Sequence, residues 1–205
     1  MSDELAKAAM STIIPALKAH GFRRHGKRDL VRIDGSIAQR IYFQLSAWGS
    51  RDFCITCSAN LIPSNEVVTL QPGFRLGKGG WLPSKTAHQA TQSTREALIW
   101  ILSEGMPFFE SVRSLDGFSA HLAKETWGSL HHLKYQQGVA FVLQGKFTEA
   151  QTLLQQAQAL YRLDGSAWCG YYIANVSSLL EALDNGTAPE LLDHWHAQNA
   201  KLHGG

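Results

Sequence analysis

The chain has 205 residues, of which 44% are hydrophobic, and a formal net charge of +2. These values allow a buried core in one large domain or two small ones, and disorder is not the default expectation. The charge is uneven: residues 18–51 contain eight basic and two acidic side chains, whereas residues 92–205 contain seven basic and eleven acidic ones. The front of the chain is therefore basic and the remainder is acidic.

The start of the chain and its cysteines indicate where the protein is located. The first ten residues, MSDELAKAAM, are charged and lack the apolar stretch of a signal peptide. No apolar run approaches the ~18 residues that a membrane span needs. Three cysteines, an odd number, fit a reducing compartment better than a disulfide framework. We therefore expect a cytoplasmic protein that does not enter a membrane.

The first predicted element is a helix over 3–20. Apolar residues recur there at helical spacing, and Gly21 follows as a stop signal. Pro15 falls inside the pattern and is expected to kink or split the helix, because proline removes a backbone donor and clashes with the preceding turn.

An antiparallel meander is predicted next. Asp34-Gly35 is a strong turn signal between strands at 28–33 and 36–46, and the residues of 36–46 alternate between apolar and polar. A third alternating strand spans 52–62. We expect helices to cover one face of this sheet.

Proline and glycine interrupt the segment 63–91, which predicts a long loop with short strands at 66–70 and near 86–91. Loops of this length are often functional. Residues 73–80, GFRLGKGG, hint at a phosphate-binding loop, but the spacing is one residue short and glycine replaces the serine or threonine that binds magnesium. A flexible basic and aromatic loop is the preferred interpretation.

From residue 92 onward the pattern is helical. A helix over 93–105 is predicted to begin at Ser93 or Thr94, and a shorter helix over 107–115 is ended by the following Asp-Gly pair. Four further helices are predicted at 130–144, 148–162, 166–184 and 188–203.

These elements predict an α+β fold in which a small antiparallel sheet packs with helices and a C-terminal all-helical section of helical hairpins follows. We place the α+β domain at 1–125 and the helical section at 126–205.

The front of the chain resembles a known bacterial family. A helix ends at His20-Gly21-Phe22, a basic stretch follows, and later come a strand with IYFQ, Gly80-Trp81 and the run TREALIWILSEGMPFFESVRSLDGF. Over about residues 5–122 this succession is similar to domain of unknown function 4304. The resemblance implies an α+β domain in a bacterial cytosol, and it brings no catalytic residues with it.

A second resemblance is local. Small residues at Gly138 and Ala140, the stretch GKFTEA over 145–150, and Ala157 resemble a tetratricopeptide helix pair. Only one such unit is visible, and the next helix departs from the repeat pattern. We expect tetratricopeptide-like packing and not a repeat array.

Cys54-x-x-Cys57 has a spacing that can serve zinc binding or redox chemistry. The pair lies in an alternating strand, so the two thiols should point to opposite faces, and no second pair exists. We interpret both as structural cysteines.

His131-His132 and His194-x-His196 lack the spacing of a helical metal site, so surface or cap positions are preferred, with a four-histidine site across two helices as the alternative. No nucleophile elbow or triad context is recognisable. We expect no catalytic set, cofactor or metal.

The leading hypothesis is a non-catalytic protein-binding module, for example an immunity or antitoxin-like protein that neutralises a toxin. The alternatives are a nucleic-acid-binding protein that uses the basic hairpin, on which Arg28 and Arg32 share one parity, and a hydrolase or ligand-binding enzyme with its site in 63–91. The predicted partner-binding residues are Arg23, Arg24, Arg28, Arg32, Arg40, Trp48, Arg75, Lys78 and Trp81.

Overall fold

The computed structural model has the predicted α+β architecture, an antiparallel sheet followed by helices. It describes residues 3–47, 51–64, 73–125 and 129–201. By its internal contacts the chain divides into two units. Unit 1 comprises residues 1–34, 38–59 and 73–110, and unit 2 comprises residues 35–37, 60–72 and 111–205.

The sheet has five strands, and each one pairs with its neighbours in sequence. The predicted hairpin and third strand are confirmed as β2, β3 and β4. Two strands of three residues, which the sequence did not reveal, form the edges. The strands are β1 (Arg23–His25), β2 (Asp29–Asp34), β3 (Ile37–Leu45), β4 (Phe53–Leu61) and β5 (Gly73–Arg75). The strand predicted at 66–70 lies outside the described residues.

The first helix, α1 (Asp3–Lys18), buries Ile13 and Leu17 completely. The expected break at Pro15 is wrong, because α1 is one continuous helix with Pro15 inside it. Pro15 is exposed and lies in the last turn, and Ser11, whose carbonyl loses its helical donor, is exposed as well. Solvent can therefore hydrate that carbonyl, which limits the cost of the proline.

Helix α2 (Ala87–Trp100) begins earlier than predicted. Thr86 caps it: the Gln89 amide donates to Thr86 Oγ1 at 3.2 Å, and the Thr86 amide donates to Gln89 Oε1 at 3.3 Å. This capping box overrides the predicted start at Ser93 or Thr94, both of which are buried inside the helix, and it replaces the predicted strand in the same segment.

A π-helical turn, Ile101–Gly105, connects α2 to α3 (Met106–Ser111). Such turns interrupt an α-helix by one wider turn and are frequent at functional positions. A Cβ atom at Gly105 would lie 2.9 Å from Cys57 Sγ, so this turn meets the sheet at a point that only glycine fits.

The Asp-Gly pair predicted to end a helix lies instead inside α4 (Leu115–Lys124). Ser114 caps α4 by accepting from the Gly117 amide at 3.1 Å, and a Cβ atom at Gly117 would lie 2.1 Å from the Ser111 carbonyl oxygen. Asp116 and Gly117 can form the first turn of α4 because a residue without a Cβ atom fits beside the Ser111 carbonyl. Helix α4 belongs to unit 2, so the unit boundary precedes the predicted domain boundary after residue 125.

The four predicted C-terminal helices are confirmed, and consecutive helices contact one another. They are α5 (Leu130–Leu143), α6 (Phe147–Asp164), α7 (Cys169–Asp184) and α8 (Ala188–Ala200). None of the helices in the described ranges is both long and apolar enough to cross a membrane.

Unit 2 also fixes a 3-10 turn, Ile62–Ser64, which directly follows β4. Asn199 Nδ2 in α8 donates to the Ile62 carbonyl at 3.0 Å, and the Tyr135 hydroxyl in α5 donates to the Ser64 carbonyl. Helices α5 and α8 therefore hold the Ile62–Ser64 turn, which precedes both of them by more than 60 residues in sequence.

The contact between α5 and α6 depends on Gly138. A Cβ atom there would lie 2.8 Å from Leu154 Cγ, whereas a Cβ atom at Gly170 in the first turn of α7 would meet nothing within 4 Å. We expect Gly138→Ala to lower the free energy of unfolding by about 1 kcal/mol, since overpacking outweighs the gain in helix propensity. Gly170→Ala, the matched control, is expected to raise it by up to about 1 kcal/mol. Urea denaturation measures both, and equal effects of the two substitutions would contradict the close approach.

Candidate functional site

One face of the unit 1 sheet packs against helices. Neighbouring residues of a strand point to opposite faces, and cross-strand partners share a face. Arg32 Nε donates to Gln39 Oε1 at 2.7 Å, so these two side chains share a face, and Gln39 Nε2 donates to the Phe109 carbonyl in α3 at 2.6 Å. We call this the helix face. Its apolar members are Ile41, Phe43, Phe53, Ile55, Cys57 and Phe74.

The opposite face carries arginines at both edges of the sheet. In β1, Arg23 lies opposite Val31, which precedes Arg32 and therefore points away from the helix face. In β5, Arg75 lies opposite Thr56, which precedes Cys57 and also points away from the helices. Both arginine side chains are exposed.

The centre of this second face is polar. Cys54 Sγ lies 3.7 Å from Gln44 Oε1, which places Gln44 and the other even-numbered residues of β3 on the same side as Arg75. The side chains of Arg40, Tyr42, Gln44 and Thr56 are partly exposed, whereas Cys54 is fully buried. We define the polar face as Arg23, Arg40, Tyr42, Gln44, Thr56 and Arg75.

Arg75 and an adjacent tryptophan form the most developed part of the polar face. Arg75 Nη2 donates to Gln44 Oε1 at 3.3 Å, and its guanidinium carbon lies 5.2 Å from the centre of the Trp81 ring. Trp81 is 43% exposed, which is unusual for so large a ring. A cation–π contact and one hydrogen bond thus orient the guanidinium while most of its donors remain at the surface.

The turn that separates Arg75 from Trp81 does not form a phosphate cradle. The Gly77 amide donates to Glu104 Oε2 at 3.2 Å, the Gly79 amide to the Leu76 carbonyl at 3.1 Å, and the Gly80 amide to the Gly77 carbonyl at 3.0 Å. The phosphate-loop hint of the sequence is therefore wrong, because these amides are already bonded within the chain. Lys78 is exposed at the tip of this turn with a φ of 54°.

Arg32, a predicted partner-binding residue, is instead structural. It is only 8% exposed, and besides Gln39 it donates to the His20 carbonyl at 3.2 Å and to Glu110 Oε1 at 2.9 Å. Arg28 and Arg32 were grouped because they share one parity in the predicted strand, and that parity corresponds to the helix face. Each of the three guanidinium nitrogens donates to an acceptor, which offsets the cost of burying the charge.

Two other predicted arginines also lie away from the polar face. Arg24 is exposed beside α1, where its Nη1 lies 3.4 Å from Met10 Sδ. Arg28 is half-buried in the turn before β2. Trp48 lies outside the described residues. The structure thus brings together Arg23, Arg40 and Arg75 on one face, with Trp81 against Arg75.

The polar face also includes one acidic residue. Asp29 lies opposite His25 at the β1 edge. Burial raises the pKa of the Asp29 carboxyl, although the nearby Arg40, His25 and Arg28 act in the opposite direction. This carboxylate therefore lies near Arg40 on the β1 side of the sheet, whereas Arg75 lies at the opposite, β5 edge.

The two strand cysteines point to opposite faces, as predicted. Cys54 is on the polar face, and Cys57 is on the helix face against Gly105. Burial raises the pKa of both thiols, with Arg75 opposing the shift at Cys54 and Glu104 adding to it at Cys57. Neither thiol is poised for nucleophilic or redox chemistry at neutral pH.

Unit 2 contains an aromatic cluster that the sequence analysis missed. His132, expected at a surface or cap position, is 2% exposed, and the ring of Trp168 stacks on it at 5.4 Å and 14°. Its neighbours Tyr135, Val139 and Val142 recur at helical spacing, and this pattern could have identified a buried position. We define the aromatic cluster as His131, His132, Tyr135, Tyr161, Trp168 and Tyr172.

Within the described ranges, no three histidine, cysteine, aspartate or glutamate side chains are grouped so that they could hold a metal ion. The predicted alternative of a four-histidine site is therefore not formed by these residues. No family model, no curated protein and no solved structure matches the chain.

Proposed function

We propose that this chain is a non-catalytic protein-binding module that holds an acidic partner on the polar face of unit 1. The supporting observation is the arrangement of Arg75, bonded to Gln44 and placed over the exposed ring of Trp81. Arginine and tryptophan are the residue types that most often dominate binding energy at protein interfaces.

The chemistry of this cluster favours a carboxylate ligand. A guanidinium presents a planar fork of donors that matches a carboxylate, and Trp81 limits the orientations that the fork can adopt. An apolar side chain of the partner can cover the exposed part of the Trp81 ring. The partner is then an acidic surface with an aromatic or aliphatic neighbour, as a neutralised toxin would offer to an immunity protein.

The resemblance to domain of unknown function 4304 belongs to the same proposal. It suggests a bacterial protein and carries no assigned chemistry. A toxin encoded by a neighbouring gene is the concrete partner that we propose to test first.

Nucleic acid is the second candidate ligand. The observation that favours it is that arginines and aromatic rings occur together on or beside the polar face: Arg40, Tyr42, Arg75 and Trp81. Arginines interleaved with aromatic rings on an open sheet face suit stacked bases and phosphates. The sequence pI of about 8.5 is below the value typical of dedicated nucleic-acid-binding domains, and so we rank this candidate below an acidic protein.

Replacing Arg75 and Trp81 together tests whether the partner binds at the polar face. We expect Arg75→Ala/Trp81→Ala to weaken binding of the partner at least about 30-fold, which is the loss of one interface hot spot or more. The measurement is co-purification from the native host, followed by calorimetry with the purified partner.

The matched control is Arg95→Ala/Ile99→Ala, which removes one exposed arginine and one exposed apolar side chain from α2. The control should retain full affinity. A partner held equally by both double variants would contradict the polar face as its site. A mobility shift with nucleic acid that weakens steeply with salt would favour the second candidate.

A further inference from the structure

Two neighbouring side chains of α5 are buried with polar atoms that no group in the described part of the protein bonds. His132 is 2% exposed and Gln136, one turn later on the same helix face, is 1% exposed. His132 Nδ1 lies 2.7 Å from the Tyr161 hydroxyl, but His132 Nε2 and both amide atoms of Gln136 have no hydrogen-bond partner within the described part of the chain.

Buried polar atoms are almost always bonded, either to protein or to ordered water, because an unmade bond leaves the full cost of desolvation. Three such atoms within one helical turn therefore indicate a ligand. The neutral imidazole carries one proton, so its Nε2 is either a donor or an acceptor, and the Gln136 amide supplies one of each.

We infer that unit 2 encloses a hydrated polar site on this face of α5, in which ordered water bonds His132 Nε2 and the Gln136 amide. Water fits because the site offers neutral donors and acceptors together. A metal ion would require a grouped ligand set, which the described residues do not form. Neither neutral side chain offers a positive charge to offset the cost of burying an anion.

Trp168 separates this site from solvent. Its ring stacks on the His132 imidazole, and it is 43% exposed, so one ring covers the buried histidine. Trp168 precedes α7 in the short link that follows Gly165, whose φ of 68° ends α6.

Water–protein NOE spectroscopy on the full chain tests the inference. We expect cross-peaks from long-lived water to the Gln136 side-chain amide protons and to the His132 ring protons. Gln136→Leu should remove the amide cross-peaks and reduce those of His132, whereas Gln137→Leu, at the next and more accessible position of α5, should leave both.

A wild-type spectrum without these cross-peaks would overturn the inference, whether or not the Gln136 variant folds. A crystal structure in which His132 Nε2 and the Gln136 amide bond directly to protein atoms would overturn it as well. Ordered water within hydrogen-bond distance of both groups would support it.

Discussion

Replacing Arg32 by methionine is expected to lower the free energy of unfolding by about 3 kcal/mol. The substitution leaves Gln39 Oε1, in a fully buried side chain, without its donor, and it removes the guanidinium that lies 5.0 Å from the Phe22 ring centre. Arg32→Lys should recover little of this loss, because one ammonium group cannot reach Gln39, the His20 carbonyl and Glu110 together. Urea denaturation gives the three free energies.

Two controls accompany this experiment. Glu110→Gln removes the half-exposed end of the ion pair and should change stability by about 1 kcal/mol or less. Arg24→Met, at an exposed position of the neighbouring strand, should have an effect within about 0.5 kcal/mol. If Arg32→Met kept full stability and lost the partner, Arg32 would be a contact residue after all.

Acidification is expected to destabilise the chain through His132. Burial, together with the neighbouring His131, lowers the pKa of His132 from 6.5 to about 4 in the folded protein. Between these two values the unfolded chain takes up a proton that the folded chain does not, so stability is complete above pH 6.5 and falls as the pH approaches 4. The total loss is on the order of 3 kcal/mol, with no further loss from this group below the folded pKa.

The pH dependence of urea denaturation provides the measurement, and His132→Gln should flatten most of it. Some slope should remain, because burial also lowers the pKa of His131. His88→Gln, at an exposed position of α2, is the control and should keep the wild-type slope. An unchanged slope in His132→Gln would show that another group is responsible.

Local signals were sufficient for most of the fold. The Asp34-Gly35 turn and the alternation on each side of it predicted β2, β3 and β4, because one buried face imposes a period of two. Gly145, Gly165 and Gly186 follow α5, α6 and α7, and their positive φ values suit the glycine that commonly ends a helix.

The errors have physical causes. The start of α2 was placed too late although Thr86 and Gln89 form a capping-box pattern, because the apolar residues that follow are sparse. Gly117 looked like a turn residue, and its tolerance for a close backbone approach was not visible in sequence. Strands β1 and β5 have three residues each, which is too short for any period to show.

The candidate site was predicted in part. Arg23, Arg40, Arg75 and Trp81 were named from charge and aromatic content, and the structure places them on or beside the polar face. Arg32 was named for the same reason, but its position in β2 directs it to the helix face, where it bonds Glu110, 78 residues away in sequence. Charge alone cannot show which arginines have such a partner.

The Ile62–Ser64 turn has a consequence for synthesis on the ribosome. Asn199, which anchors this turn, follows Ile62 by 137 residues. The Ile62 carbonyl therefore lacks this donor until α8 has been synthesised, and contacts of such long range form late. A product that terminates before α8 would retain the bond from the Tyr135 hydroxyl to the Ser64 carbonyl and would lose the bond from Asn199 to the Ile62 carbonyl.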